Sequence, residues 1–374
     1  MKDDARDLGQ SAETWSGVWQ GLSPLGEIRM WDFYGGRQWI AKFVPRHGKV
    51  LEAGCGLGRH NFYFSRMGIE MEGLDFSEPT IAVLREWGRH NGFDCTFVHG
   101  DVTDLPHADG SLSGYLSLGV VEHFSEGPQV ALAEAFRVLR PGGVAIVTTP
   151  SVSFATMERR LRLGARRLAR RVRGRTSAQR DFFQYWYRPR TLGRFVTASG
   201  LRLVRCSGAD LLYAFCERGR GSVDRIREGT LAYRMADRFE ATRLSALGAQ
   251  SITVSVKPAD AMHCFVCGER RATPSSLERH DVPVCASCEP SPAASFYRRG
   301  RKVRFAAPYV IDPPLKPVTA ERCAICAAEY RSDEVFEDYG FDRPICPECL
   351  RRPDVNIMLS NEHVKPIWRQ RPFG

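Results

Sequence analysis

Two groups of residues in this chain have types and spacings that do chemistry. The first is Val50-Leu51-Glu52-Ala53-Gly54-Cys55-Gly56-Leu57-Gly58, a short apolar run that ends in a carboxylate and a glycine-rich turn. Glycines serve there because the backbone must bend tightly and let a ligand come close. Arg59 stands where a dinucleotide fingerprint wants its final glycine, and Glu52 suits a cationic ligand better than a pyrophosphate. Asp75, 17 residues after Gly58, is placed to accept both hydroxyls of a ribose. Gly100-Asp101-Val102 adds a third acid. The second group is eight cysteines in four C-x-x-C pairs. Cys264/Cys267 and Cys285/Cys288 have 17 residues between the pairs; Cys323/Cys326 and Cys346/Cys349 have 19. Four thiolates about 2.3 Å from one point make a tetrahedral zinc site, and a C-x-x-C knuckle presents two of them from one turn.

The elements that must position these residues follow from the pattern of apolar positions. Val50 to Pro150 alternates short apolar runs with helical spacing, the signature of a parallel α/β sheet. Strands are predicted at Val50–Ala53, Ile69–Asp75, Cys95–His99, Gly114–Leu118 and Val144–Thr149. Helices are predicted at Arg59–Arg66, Pro79–Asn91 and Val130–Leu139, with Pro141-Gly142-Gly143 turning the last of them into the next strand. After an insertion at 152–188 come a helix near Pro189–Ser199, a strand at Leu201–Cys206, a helical stretch around Val223–Leu247 and a final strand at Ser251–Lys257. Glu52, Asp75 and Asp101 then fall at the carboxyl ends of successive strands, where open α/β sheets bind ligands.

With those residues in view, Val50–Pro150 resembles the class I S-adenosylmethionine-dependent methyltransferases. VLEAGCGLGRH is similar to the family's first motif, GLDFS to its ribose motif and GDVTDLP to its adenine motif. SLGVVEHF is similar to the fourth-strand motif, and EAFRVLRPGG to the helix and turn before strand five. The resemblance implies a Rossmann-like, seven-stranded α/β sheet whose last strand is antiparallel, with S-adenosylmethionine as cofactor. By the same resemblance Glu52, Gly54, Cys55, Gly56 and Gly58 would meet its methionine part, Asp75 the ribose and Phe76 the adenine. Asp101 and Val102 would meet the exocyclic amine and ring, and Leu118 with Gly119 the surroundings of the sulfonium.

A carboxylic acid acceptor needs little beyond alignment, whereas a hydroxyl or ammonium must lose a proton to a base. His123, just beyond strand four, is the catalytic candidate, with a pocket-wall or capping histidine as the plainer reading; His107 is a weaker candidate. Trp15, Trp19, Trp31, Phe33 and Tyr34 supply aromatics for core or pocket. The insertion carries an apolar stripe, Met157, Leu161, Leu168 and Val172, and nine arginines between Arg159 and Arg175. It reads either as a solvated helix or as a cationic lid for an anionic or lipid-linked acceptor. FFQYWYRPRTL resembles the substrate-side segment of small-molecule, biosynthetic methyltransferases, which makes Tyr185 and Tyr187 candidate substrate residues.

The domain reading is a methyltransferase domain at 1–258, a first four-cysteine zinc module at 259–290, a linker at 291–319 and a second module with tail at 320–374. The modules look like a tandem duplication of zinc ribbons holding two structural Zn2+ ions. Disulfides, and a cross-braced pairing of the knuckles, are the alternatives. Of the net charge of +10, residues 259–374 carry almost none, with 17 basic against 16 acidic residues. That weighs against a phosphate-backbone partner and favours protein contact or self-association. The polar start MKDDARDLGQ and the lack of any apolar run of about 18 residues predict a cytoplasmic protein without a membrane span. Small-molecule O- or N-methylation is the leading function. An RNA methyltransferase gripping phosphates with its arginines, and a protein methyltransferase or scaffold recruited through the zinc modules, are the others.

Overall fold

The computed structural model describes residues 36–152, 183–211 and 248–299, with 14, 15, 19, 24–29, 239 and 245. The helical stripe and arginine run of the insertion, nearly all of the stretch 223–247, the aromatics Trp31, Phe33 and Tyr34, and the second cysteine module lie outside these residues.

Seven strands form one sheet: β1 Val50–Ala53, β2 Met71–Asp75, β3 Cys95–His99, β4 Leu112–Leu118, β5 Leu139–Pro150, β6 Arg202–Ala209 and β7 Gln250–Val256. Their order is β3-β2-β1-β4-β5-β7-β6. The first five are mutually parallel, and β7 runs antiparallel to both β5 and β6. This is the Rossmann-like methyltransferase sheet. Helices α1 Pro24–Arg29, α2 Arg37–Phe43, α3 Arg59–Arg66, α4 Glu78–His90, α5 Gln129–Val138 and α6 Pro189–Ala198 accompany it. α7 Ser276–Arg279 and α8 Pro292–Phe296 belong to the C-terminal module. No described helix is long and apolar enough to cross a membrane.

The two-residue period of the strands sorts the core into two layers. Val50, Leu116, Val144 and Ile146 face one way, meeting Trp39, Ile40 and Phe43 of α2 and Tyr63 and Phe64 of α3. Leu51, Tyr115, Ala145 and Val147 face the other way, onto Leu132, Ala135 and Val138 of α5 and Leu192 and Val196 of α6. Because both faces are covered, every residue of β1 and β2 is buried, the carboxylates Glu52, Glu72 and Asp75 included.

Two features depart from the sequence expectation. Pro141-Gly142-Gly143 lies inside β5, which opens at Leu139 and shifts register between Leu112 and Gly114 of β4. The reason is where its backbone groups go: the Gly142 N–H donates to Lys257 O, and Pro141 O accepts from His263 N–H. The second departure is the placement of the first cysteine module. A stretch too small for its own core has joined an existing one. Met262, Phe265, Leu277, Val282, Val284 and Ala294 are continuous with the α2 side of the sheet. At the seam, Lys42 is 1% exposed and pairs with Asp281 at 3.2 Å, and the Arg205 guanidinium lies 3.5 Å from the Trp39 ring centroid. His47 Nε2 lies 2.8 Å from Val266 O. The segment read as a linker from residue 291 opens with α8, capped by Ser291 Oγ accepting from the Ala294 N–H at 3.1 Å.

Candidate cofactor and metal sites

The sheet order reverses direction between β1 and β4, the switch point where doubly wound sheets open a crevice at the carboxyl ends of their strands. A cavity of about 270 Å³ opens there. Glu52, Gly54, Cys55, Gly56, Asp75, Phe76, Asp101, Val102 and Leu118 line it, as do Gly119, Val120, His123 and Phe124. Trp15, Trp19, Glu27, Leu57, Arg59 and His60 complete the described lining. Gly58 is not in the wall. It is the N-cap of α3, at φ 72°, packed beneath the turn against Phe62.

Local geometry explains the glycine turn. Gly54 and Gly56 both have positive φ, and a Cβ on Gly56 would sit 2.7 Å from the Trp19 ring. The indole therefore lies on bare backbone, an approach only glycine permits. Asp75 holds the turn from the neighbouring strand. Its Oδ2 accepts from the Gly56 N–H and its Oδ1 from the Ser77 N–H, both at 3.0 Å. Burial raises the Asp75 carboxyl above its ordinary range, while the Ser77 and Gly56 amides pull the other way. A carboxylate has about four acceptor positions, so these two bonds leave room for a ligand hydroxyl. Asp101, at the exposed rim, accepts from the Thr103 N–H at 2.8 Å and its hydroxyl at 2.7 Å.

Glu52 carries the strongest electrostatic signal. It is 2% exposed, its Oε1 accepts from His60 Nδ1–H at 2.5 Å, and among the described residues its Oε2 has no hydrogen-bond partner. A buried carboxylate oxygen is costly to leave unpaired, so a ligand cation in the cavity fits this position. His60, second residue of α3, lines the cavity and was not identified by the strand-tip pattern; its signal is a histidine in the first turn of the helix that the glycines open. Glu27 and Arg59 were also missed. Arg59 donates to Glu27 Oε2 through Nε at 3.1 Å and again through its terminal nitrogen.

At the β4 end, His123 Nδ1 lies 2.8 Å from the carbonyl oxygen of Phe183. Trp15 meets the imidazole edge-on at 4.8 Å, and Phe183 at 5.0 Å. Glu122, beside it, is 1% exposed; burial pushes its carboxyl up to about 8. The structure does not bring Tyr185 and Tyr187 to this cavity. The Tyr185 hydroxyl donates to Ser125 O at 2.9 Å. The Tyr187 ring is buried against Phe195, with its hydroxyl pushed up to about 12 by burial, then by Tyr185 and Glu122. Their segment touches the site through Phe183 instead. His107 is also elsewhere: its Nε2 lies 2.6 Å from Glu72 Oε1, and Lys49 and Thr96 hold the other oxygen.

In the C-terminal module the ligand sulfurs of Cys264, Cys267, Cys285 and Cys288 all lie within 4.8 Å of one another. Cys267 and Cys285 are 3.8 Å apart, about the sulfur–sulfur edge of a tetrahedron with bonds near 2.3 Å. The Cys285 N–H donates to Cys264 Sγ at 3.3 Å, the kind of support a thiolate ligand receives. The first pair thus converges with the second, the sequential arrangement. This donor set could hold one tetrahedral soft cation.

With the sheet order, the glycine turn and the acids in place, comparison with known proteins supports a methyltransferase domain over part of the chain. Residues 51–147 match the family model of a methyltransferase domain. The chain is similar to a Mycolicibacterium smegmatis protein named as a probable S-adenosylmethionine-dependent methyltransferase. They share 39% identity over 102 residues, 27% of this chain and 38% of that one. It is similar to the malonyl-[acyl-carrier protein] O-methyltransferase of Pectobacterium atrosepticum, at 34% identity over 32% of this chain and 43% of that one. A fatty-acid O-methyltransferase of M. smegmatis matches at 37% identity, over 27% of this chain and 36% of its own length. The chain thus spans about two fifths of the length of these relatives.

Proposed function

We propose that the protein is an S-adenosylmethionine-dependent methyltransferase acting on a small-molecule acceptor, most simply at oxygen. The observation that carries this reading is Glu52, buried in the wall of a cavity at the switch point of the sheet, with its Oε2 unpartnered among the described residues. Glu52 would take the α-ammonium of the cofactor, with His60 fixing the carboxylate's orientation. Asp75 would take ribose hydroxyls, Phe76 and Val102 the adenine faces, and Asp101 its exocyclic amine. Leu118 and Gly119 would wall the reacting end. When bound, the cofactor supplies an activated methyl group. The chain's own residues align the acceptor in line and exclude water, and positioning of that kind can contribute roughly 7–11 kcal/mol. The names of the relatives, two of them O-methyltransferases of acyl compounds, support a small-molecule acceptor.

The catalytic domain in this reading extends to about residue 258. The first module, continued through α8, is a structural Zn2+ site that braces the sheet, because four thiolates leave zinc no open position. The second module, Cys323, Cys326, Cys346 and Cys349, would hold another zinc ion and be the part available for protein contact. The test is a thermal unfolding series on full-length, zinc-loaded protein with S-adenosylhomocysteine. Ligand at about 100 times its Kd stabilises by about 2.7 kcal/mol, so a rise of roughly 2–4 °C is expected. No shift with either S-adenosylhomocysteine or S-adenosylmethionine would contradict the reading.

A further inference from the structure

The loop 100–111 connects β3 to β4 and brings Asp101 and Val102 into the cavity wall. A tight turn fixes these two locally. The Asp104 N–H donates to Asp101 O at 3.2 Å, and the Asp101 carboxylate takes the Thr103 N–H and hydroxyl. The chain then continues through Leu105-Pro106-His107 to Asp109, a run that is not part of the described lining.

This run is gripped from outside the cavity by Arg137 of α5. A guanidinium carries five N–H donors in a fixed fork, and all five are used here. Nη1 donates to His107 O at 2.6 Å and to Asp109 Oδ1 at 2.8 Å. Nη2 donates to Leu105 O at 2.9 Å and to Glu134 Oε2 at 2.8 Å, and Nε to Glu134 Oε1 at 2.7 Å. Glu134 closes the grip by accepting from the Leu105 N–H at 2.8 Å. The two gripped carbonyls flank Pro106, whose ring fixes φ, so the loop is held at a stiff point. From the other side, His107 Nε2 meets Glu72 Oε1 of β2 at 2.6 Å.

The parts of the grip differ in weight. The Asp109 side chain is 79% exposed, and ion pairs in water contribute little. The bonds to the loop backbone and to Glu134, whose side chain is 16% exposed, carry more. The Glu134 carboxyl is held below its ordinary range, first of all by its hydrogen bond from Arg137. Val102 and Leu105 also pack in one cluster with Leu132 and Ala135 of α5. Helix, clamp and wall residues therefore form one rigid unit.

We propose that Arg137, with Glu134, is a positioning residue that makes the crevice selective for adenine over a 6-oxopurine. This rests on the methyltransferase reading, in which Asp101 meets the exocyclic amine of the cofactor's base. An ionised carboxylate accepts from an amine and has nothing to donate to a carbonyl oxygen. It separates the two bases only while it is held at that edge; on a loop free to swing away it admits either.

The experiment titrates full-length, zinc-loaded protein, well below its unfolding temperature, with S-adenosylhomocysteine and with its 6-oxo analogue, S-inosylhomocysteine. The parent protein is expected to prefer the adenine ligand by roughly tenfold or more, as for one charged hydrogen bond. R137K keeps the charge but not the fork. E134A removes the carboxylate and suits a helix, alanine being its strongest former, so it keeps the test open should R137K fold poorly. Each variant should bring the preference to within about twofold of unity. A parent that binds both ligands equally, or folded variants that bind more weakly yet keep the parent's ratio, would overturn the proposal and leave a clamp that serves stability alone. Either result leaves the methyltransferase reading standing; a parent that binds neither ligand takes that reading with it.

Discussion

Glu122 and Glu72 show how far two carboxyls in one small domain can be driven apart. Burial raises Glu122 to about 8. Glu72 is buried too, but hydrogen bonds from His107 and Lys49 outweigh that and bring it down to about 2. A group whose pKa rises on folding contributes stability that is complete below its unfolded pKa, near 4.5. That contribution is lost as pH climbs through the folded value. The native state should therefore weaken between about pH 5 and 9 because of Glu122, and E122Q should remove that slope. Urea unfolding of the two proteins across this range is expected to diverge by a few kcal/mol at the alkaline end; parallel curves would show that Glu122 ionises freely. The strand-tip acids were legible in the sequence because each sits in a short local motif. His60, and the Phe183 carbonyl that meets His123 from 60 residues away, were not, because only the folded chain brings them to the site.

Strands and helices up to β5 follow closely from the two-residue and 3.6-residue periods, since both sheet faces are covered and every apolar position has a layer to enter. α6 begins at Pro189, where a proline at the first turn costs no hydrogen bond. What the local pattern could not show was the use of Pro141-Gly142-Gly143. A proline and two glycines after a helix normally signal a turn, but here their backbone groups bind Lys257 and His263. Gly142 has φ 81°, and a Cβ there would lie 2.8 Å from His263 O. Valine at this position must both adopt a left-handed backbone and push the cysteine module outward. G142V is expected to cost on the order of 2–3 kcal/mol of stability, and limited proteolysis should then cut near residue 260. A variant as stable and resistant as the parent would mean that the module is not seated on this turn.

Over the whole molecule, the cysteine spacing announced a four-cysteine cluster but not its docking, because docking depends on shape and on pairs such as Lys42–Asp281, 239 residues apart. The module joins the sheet where β5 begins and β7 ends, the opposite end of β5 from the crevice, so the cysteine cluster and the crevice share a core without touching. If zinc braces that core, C285S should lower the unfolding temperature of the methyltransferase domain itself. Scanning calorimetry should then show one cooperative transition moving down by several degrees; an unmoved main transition would mean that the module folds independently. The arrangement of strand-tip acids, glycine turn and switch-point cavity has one central consequence, that the crevice binds a sulfonium nucleoside. Isothermal titration of full-length, zinc-loaded protein with S-adenosylhomocysteine tests it most directly. One site per chain is predicted, with affinity falling roughly tenfold or more in E52Q, as for a lost charged hydrogen bond. Absence of heat in the folded parent protein, or equal affinity in E52Q, would contradict the account.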